Sequence, residues 1–293
     1  MPSETDYMNE VIPVLRRIIL LAITVYISIV GILYFLQERM IFHRPGISEE
    51  RLQYIRERFP EAEEVTIDTP DNIRLHGWLV HNGKNGPSPL LVYFGGNAEE
   101  VSWMIEAKDR LPGWSMLLIN YRGYGLSEGS PGEEALLNDA LLIYDTFSAR
   151  DDISREEIAV MGRSLGSAPA IYISGQRNPS ATVLVSSFGS IQDIAENNFP
   201  FIPVNHLLKH KFKMTPYAQN AENPMLTMVA SDDRIIPPRH SNILFRAWEG
   251  QKEFVVIHNA DHNDIAFHAL YWESLRDFLD NRLRENHYMV DSR

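Results

Sequence analysis

A serine flanked by glycines offers the clearest chemistry in the sequence. Gly162-Arg163-Ser164-Leu165-Gly166 follows an apolar run and precedes a helix-like run. A G-x-S-x-G pattern in that context is typical of a nucleophile held on a sharp strand-to-helix turn. The amide groups at the start of the helix could also stabilise an oxyanion. We therefore predict that Ser164 is a nucleophile, the alternative being a tight turn without a catalytic role.

A serine nucleophile needs a base that accepts its proton and an acid that orients the base. With this turn, the acid and then the histidine follow the serine in the chain, on loops after later strands. The apolar run 225–230 leads into two aspartates, Asp232 and Asp233. We favour Asp233 as the acid, because the pattern D-x-x-I-P that begins there places it beyond the strand end. Asp232 is the alternative.

The candidate base is His262. It lies a few residues after the apolar run 253–258, on a loop where the base should be. His258, at the end of the same run, and His268, further along the chain, are the alternatives.

A second oxyanion donor should come from the loop after the third strand. The apolar run 90–94 is followed by Gly95, Gly96 and Asn97. Two glycines allow a backbone turn that points amide groups into a site. We predict that the N–H of Asn97 or Gly96 acts together with that of Leu165. A plain turn in which Asn97 caps the next helix is compatible with the same pattern.

Composition excludes several classes of protein. The 293 residues carry 27 Lys and Arg against 39 Asp and Glu, a net charge of −12, which argues against nucleic-acid binding. The absence of cysteine excludes disulfides, thiolate metal sites and cysteine nucleophiles. His206 and His210 have the i,i+4 spacing of a helical metal pair, but no third ligand is apparent. We predict neither a metal nor a cofactor.

An apolar stretch near the N-terminus predicts membrane attachment. Residues 18–36 contain no charged side chain, and a helix of that length crosses roughly 30 Å of hydrocarbon. We predict a single transmembrane signal-anchor over 16–38, preceded by a flank over 1–15. A cleaved signal peptide and a buried soluble helix are the alternatives, but no cleavage pattern follows the stretch. Arginines are balanced on its two sides, so the orientation is not predicted.

Strand-like and helix-like runs alternate after this stretch. The predicted strands are 63–68, 73–80, 90–94, 115–120, 158–162, 182–186, 225–230 and 253–258. The predicted helices are 98–110, 132–147, 165–176, 240–248 and 269–286. The middle strands are continuous apolar runs, as in parallel strands covered on both faces. The pattern predicts an α/β domain over 45–293, with a doubly wound, mostly parallel sheet and a small cap-like insertion over 187–220.

Six segments together indicate a family. They are 94–98 (FGGNA), 120–129 (NYRGYGLSEG), 162–166 (GRSLG), 199–212 (FPFIPVNHLLKHKF), 231–237 (SDDRIIP) and 260–264 (ADHND). With them the sequence resembles the bud-emergence-type branch of the α/β-hydrolase superfamily, a group of membrane-anchored serine hydrolases, over roughly residues 36–280. The resemblance implies Ser164 as nucleophile, Asp233 as acid and His262 as base. It also implies hydrolysis of an ester, thioester or similar acyl bond without a cofactor.

Two residues within these segments need separate interpretation. Where the family usually has a histidine, this chain has Gly95, so any orienting role of that side chain is absent here. Arg122 is expected to pair with a carboxylate and to brace the neighbouring loops, which is a structural role.

The predicted function is a membrane-anchored serine hydrolase that cleaves carboxylic ester or thioester bonds through an acyl-enzyme. A serine peptidase of the same fold, or a non-catalytic membrane-tethered binding protein, is the alternative. The expected partners are a small-molecule or lipid acyl ester and the membrane, without nucleic acid. The sequence specifies neither the natural acyl donor nor the oligomeric state.

Overall fold

The computed structural model describes residues 4–83 and 86–291, with side chains from residue 12 to residue 283 within those ranges. The chain is built around one eight-stranded sheet. Its strands are β1 (Ala62–Asp68), β2 (Arg74–Val80), β3 (Ser88–Phe94), β4 (Ser115–Ile119), β5 (Ile153–Arg163), β6 (Ala181–Val185), β7 (Met225–Ala230) and β8 (Lys252–Ile257). Each predicted strand is present, and β5 begins five residues earlier than its apolar run.

The strand order is β1-β2-β4-β3-β5-β6-β7-β8. The β1–β2 and β2–β4 pairs are antiparallel, whereas all pairs from β4 to β8 are parallel. The carboxyl ends of the parallel strands therefore meet at one edge, where ligands bind in open α/β sheets. The predicted fold class is confirmed.

Helices cover both faces of the sheet. They are α1 (Glu4–Ile41), α2 (Glu49–Arg58), α3 (Glu133–Ser148), α4 (Ser167–Arg177), α5 (Ile191–Asn198), α6 (Val204–Leu207), α7 (Thr215–Ala218), α8 (Pro238–Ala247) and α9 (Ala269–Asp291). Short 3₁₀ helices span Val101–Arg110, Ser164–Gly166 and Ile265–Phe267. Because strand side chains alternate in direction, Leu90 and Val92 pack with α3 and α4, while Leu91 and Tyr93 pack with α2 and α9.

The helix after β3 differs from its prediction. It is a 3₁₀ helix that begins at Val101, and the carboxylate of Glu100 caps it by accepting the Ser102 N–H. Asn97 is therefore not its N-cap, and the loop between β3 and this helix is longer than expected.

The N-terminal helix extends beyond the predicted anchor of 16–38. Of the predicted flank 1–15, residues 1–3 lie outside the described residues. Within the described part of the chain, α1 is the one helix long and apolar enough to cross a membrane, over Ile12–Ile41.

The interval 187–220, described throughout, contains α5, α6 and α7 and no strand. It lies against the second half of α1, where Gln37 Nε2 donates to Leu207 O at 3.2 Å and Gln37 Oε1 accepts the Lys209 N–H at 2.8 Å.

Arg122 pairs with carboxylates as expected. Its Nε and Nη2 donate to the two oxygens of Asp139 in α3, at 2.6 and 2.7 Å. Nη2 also donates to Asp71 in the β1–β2 turn, at 2.9 Å. The pairing joins the turn, the loop after β4 and α3.

Candidate active site

Ser164 sits on a strained turn between β5 and α4. Its φ is +52°, a left-handed conformation that non-glycine residues rarely adopt and that concentrates at functional sites. A Cβ on Gly162 would lie 2.1 Å from Gly166 O, and one on Gly166 would lie 2.0 Å from Phe94 O. Only glycine fits at either position, so the G-x-S-x-G spacing is required by the close approach of the backbone segments.

Asp233 lies on the loop after β7 and is only 4% exposed. Its Oδ1 accepts the N–H groups of Ile235 and Ile236, at 3.0 and 2.7 Å. Burial alone would raise the pKa of the carboxyl, but the hydrogen bond and charge of His262 and the Ile236 amide hold that pKa below its ordinary value. Asp233 is therefore an ionised acceptor at neutral pH.

His262, on the loop after β8, lies between the other two predicted residues. Its Nδ1 is 2.7 Å from Asp233 Oδ2, and its Nε2 is 3.0 Å from Ser164 Oγ. An acceptor on the Nδ1 side favours the tautomer with the proton on Nδ1, which leaves Nε2 free to accept from the serine hydroxyl.

The alternatives weighed for the base lie elsewhere. His258 is exposed next to the end of β8, and His268 Nε2 is 3.8 Å from Asp264. The structure thus brings together Ser164, Asp233 and His262, the three residues that the sequence favoured.

The predicted oxyanion donors differ in whether their N–H groups already have an acceptor. The Gly96 N–H donates to Glu99 Oε2 at 2.8 Å, so this amide is already occupied. The Asn97 N–H has no acceptor among the described residues. Leu165 lies in the first turn after Ser164, where N–H groups lack partners within the helix. Of the two alternatives left open by the sequence, Asn97 is therefore the better second donor.

The Asn97 side chain is fixed by the chain that follows α1. Its Oδ1 accepts the His43 N–H at 2.6 Å and the Tyr124 hydroxyl at 3.2 Å. Its Nδ2 donates to Met40 O at 3.2 Å. The end of α1 is thereby hydrogen-bonded to the candidate oxyanion loop.

Sequence reasoning missed Glu99, which is 8% exposed. Its carboxylate accepts from the Tyr93 hydroxyl, from Trp103 Nε1 at 2.6 Å, from the Gly96 N–H and from Arg163 Nη1 at 2.9 Å. Charge-assisted bonds of this kind are the strong ones. The available signal was an acidic residue directly after the G-G-N-A turn, the first of the pair Glu99 and Glu100.

Arg163, the residue before the serine, joins this cluster to the base. Its Nη1 bonds Glu99, and its Nη2 donates to the backbone oxygen of His262 at 2.8 Å. Burial lowers the pKa of the guanidinium, but electrostatic interaction with Tyr93 and Glu99 and the hydrogen bond to Glu99 outweigh that effect and raise it. Arg163 is therefore a permanent cation between the candidate oxyanion loop and the loop that carries His262.

At Gly95, where the family usually has a histidine, neighbouring side chains occupy the space beside the backbone. A Cβ on Gly95 would lie 3.0 Å from Val101 Cγ1 and 3.2 Å from Glu99 Cδ. The Glu99 carboxylate thus fills the space that a side chain at position 95 would need. Tyr121 Oη holds this loop from the other side by donating to Gly95 O at 2.6 Å.

His206 and His210, which have the spacing of a metal pair, meet no third ligand among the described residues. Within the described residues, no group of three or more His, Asp or Glu side chains could hold a metal ion. The His210 ring instead accepts the Glu133 N–H at 3.2 Å and packs on Phe42, with ring centroids 5.1 Å apart.

Several proteins are similar in sequence over most of the chain. A membrane protein of Saccharomyces cerevisiae, YNL320W, is 30% identical over 262 residues, which cover 85% of this chain and 91% of the yeast protein. Protein bem46 of Schizosaccharomyces pombe is 27% identical and covers 88% of this chain and 90% of its own length. WAV2 of Arabidopsis thaliana, described as an alpha/beta hydrolase domain-containing protein, is 27% identical, with coverages of 86% and 90%. No protein-family model matches.

Solved structures show the same fold at lower identity. Est1E from Butyrivibrio proteoclasticus has a TM-score of 0.63 and 18% identity, covering 75% of this chain and 99% of its own. The esterase Pf2001 from Pyrococcus furiosus has a TM-score of 0.61 and 17% identity, with coverages of 82% and 97%. The sheet and the turn at Ser164 are those of the α/β-hydrolase fold. With its relatives considered, the chain belongs to the bem46-type branch of the α/β-hydrolase superfamily.

Proposed function

We propose that the protein is a serine hydrolase that cleaves carboxylic ester or thioester bonds with Ser164, His262 and Asp233 as its triad. One observation carries the proposal: the unbroken hydrogen-bonded series from Ser164 Oγ through His262 to Asp233, at 3.0 and 2.7 Å. These distances lie within the reach required between a nucleophile, its base and the orienting acid.

The proposed reaction has two halves. Ser164 Oγ attacks the carbonyl carbon while His262 Nε2 takes the hydroxyl proton, and the N–H groups of Leu165 and Asn97 stabilise the oxyanion. His262 then gives that proton to the leaving alcohol or thiol as the acyl–oxygen or acyl–sulfur bond breaks. In the second half, His262 deprotonates a water molecule that attacks the acyl-enzyme. The bond between the acyl group and Ser164 Oγ then breaks, His262 returns the proton to Oγ, and the carboxylic acid product is released. Asp233 holds the imidazole tautomer and stabilises the imidazolium.

Labelling with a fluorophosphonate probe tests this proposal on the full-length protein. We expect the wild type to be labelled and the Ser164→Ala and His262→Ala variants to lose labelling. His258→Ala, which changes an exposed histidine four residues from the base, is the matched control and should label as the wild type does. Ester turnover should fall by about 10⁶ in kcat for Ser164→Ala. A folded wild type that neither labels nor hydrolyses esters would favour the non-catalytic alternative.

We further propose that α1 anchors the protein in a membrane as a single span. The support is the length and apolar composition of Ile12–Ile41 and the yeast relative described as a membrane protein. The full-length protein should stay with the membrane pellet through extraction with alkaline carbonate. Its release into the supernatant would contradict an integral anchor.

A further inference from the structure

An apolar groove separates the second half of α1 from the inserted helices. Leu33 and Met40 line it on the α1 side, and Ala195, Phe199 and Ile202 line it on the other. The cavity within the groove is about 110 Å³. Its walls are almost entirely carbon atoms, so it suits an apolar ligand.

Only one face of α1 takes part in the groove. Val30, Leu33, Gln37 and Met40 follow the spacing of a single helical stripe. On the other side of the helix, Ile32 is 57% exposed. The helix therefore presents one apolar face to the groove and another to its surroundings.

The groove runs alongside the proposed membrane span. Tyr26 Oη donates to Phe201 O at 2.8 Å, and Lys209 Nζ bonds Glu38 at 2.9 Å. Tyr26 and Glu38 are twelve residues apart, or about 18 Å along a helix. Phe201, which is 85% exposed, therefore lies at hydrocarbon depth when α1 spans a bilayer. In that position the part of the groove beside Val30 and Leu33 lies at the depth of the lipid chains.

One wall of the groove is hydrogen-bonded to the candidate oxyanion loop. Met40, a wall residue, accepts a hydrogen bond from the Asn97 side chain at 3.2 Å. The next residue back along the loop, Gly96, lies against the nucleophile, since a Cβ built on it would be 3.5 Å from Ser164 Cβ. A ligand in the groove would therefore lie beside the candidate oxyanion loop.

We propose that the groove holds the fatty acyl chain of a bilayer lipid ester whose carbonyl is presented to Ser164. This inference rests on the proposed function and names the substrate class of the same site. The lipid is selected by an apolar groove that lies beside the proposed membrane span and whose wall is hydrogen-bonded to the candidate oxyanion loop. Short acyl groups reach Ser164 without using the groove.

Filling the groove with a bulky side chain should therefore lower the turnover of long-chain esters and leave that of short-chain esters unchanged. The full-length protein is placed in phosphatidylcholine vesicles and assayed with p-nitrophenyl palmitate dissolved in the bilayer and with p-nitrophenyl acetate in solution. Leu33→Trp should lower kcat/KM for the palmitate by about tenfold or more and leave the acetate within about twofold. Ile32→Trp, on the exposed face of the same turn, is the matched control and should change neither. Equal effects of Leu33→Trp on both esters, or none on either, would overturn the inference.

A binding measurement covers the case in which the bulky variant does not fold. The full-length Ser164→Ala protein is irradiated in vesicles containing a diazirine-labelled phosphatidylcholine, and the adducts are mapped to residues. Adducts at Leu33, Met40 or Ala195 support an acyl chain in the groove. Adducts confined to Ile32 and its outward-facing neighbours would overturn it. If Ser164→Ala still hydrolysed the acetate, the proposed function would fail instead, so the two failures are distinct.

Discussion

Two loops at the same edge of the sheet each carry a buried carboxylate, and the two differ in their partners. Asp233, on the loop after β7, is 4% exposed, and Glu99, on the loop after β3, is 8% exposed. Asp233 accepts from two backbone amides and from His262, which becomes an imidazolium in the proposed reaction. Glu99 accepts from Arg163, which never loses its proton in a protein, and from neutral donors.

The difference indicates two roles: one carboxylate stabilises the charge that a proton transfer creates, and the other keeps neighbouring loops in position. When His262 becomes an imidazolium, Asp233 gains a cationic partner beside it. The surroundings of Glu99 keep the same charge throughout the proposed reaction. We infer that Glu99 is a positioning residue, which fixes the candidate oxyanion loop through the Gly96 N–H and the loop that carries His262 through Arg163.

The largest effect that tests this comparison is expected at Asp233. Asp233→Asn keeps the shape but favours the wrong imidazole tautomer, so kcat should fall by about 10⁴. Asp232→Asn is the matched control and should stay within about threefold of the wild type. Steady-state ester kinetics measure both variants. If the two aspartates proved equally dispensable, the proposed acid would be wrong.

A smaller loss is expected at Glu99. Glu99→Gln keeps an acceptor and its volume but leaves Arg163 without its counter-ion, so the Gly96–Asn97 turn loosens. Because an oxyanion donor acts mainly in the transition state, kcat should fall by about 10² with little change in KM. Glu100→Gln, which preserves the cap on the next helix, is the matched control. A fall in thermal stability without a fall in kcat would show that Glu99 serves folding alone.

The contrast also explains what the sequence could predict. Asp233 could be proposed from the sequence because triad residues follow a fixed chain order after a recognisable turn, and because strand ends are marked by apolar runs. The strands themselves follow from continuous runs such as 225–230, which must be covered on both faces. These signals are local, and they do not depend on which distant residue a side chain meets.

Glu99 and the groove beside α1 could not be found in that way. Glu99 gains its role from Arg163, 64 residues later, and nothing in either local pattern indicates the pairing. The choice between Gly96 and Asn97 likewise depended on which amide the Glu99 carboxylate occupies. The groove depends on how 187–220 lies against α1, a packing arrangement without a sequence motif.

The pH dependence of the unfolding free energy should distinguish Asp233 from the neighbouring Asp232. The pKa of Asp233 is held below its ordinary value, so its ionised form favours the folded state. That contribution is complete above the unfolded pKa of about 3.9 and is lost as pH falls through the lower folded value. The difference in unfolding free energy between wild type and Asp233→Asn should be constant between about pH 5 and 6 and should shrink below about pH 4. Urea unfolding across that range measures it, with Asp232→Asn expected to follow the wild type. A difference that did not shrink in acid would contradict this assignment.

The smallest effect is expected at Gly95, and it bears on how the oxyanion loop is held. An added methyl group would meet Val101 Cγ1 at 3.0 Å and Glu99 Cδ at 3.2 Å, so both neighbours must shift by a few tenths of an ångström. Gly95→Ala should lower kcat by less than about tenfold, while Gly46→Ala, where nothing lies within 4 Å, should have no effect.

The double variant of Gly95→Ala with Glu99→Gln shows whether the added methyl group acts through Glu99 or through Val101. If the methyl group acts by displacing the Glu99 carboxylate, its cost in kcat should largely disappear once that carboxylate has been replaced, because residues in contact are not additive. If the two losses simply multiplied, the loop would respond to position 95 through Val101. Glu99 would then not be the element that takes the place of a side chain at this position.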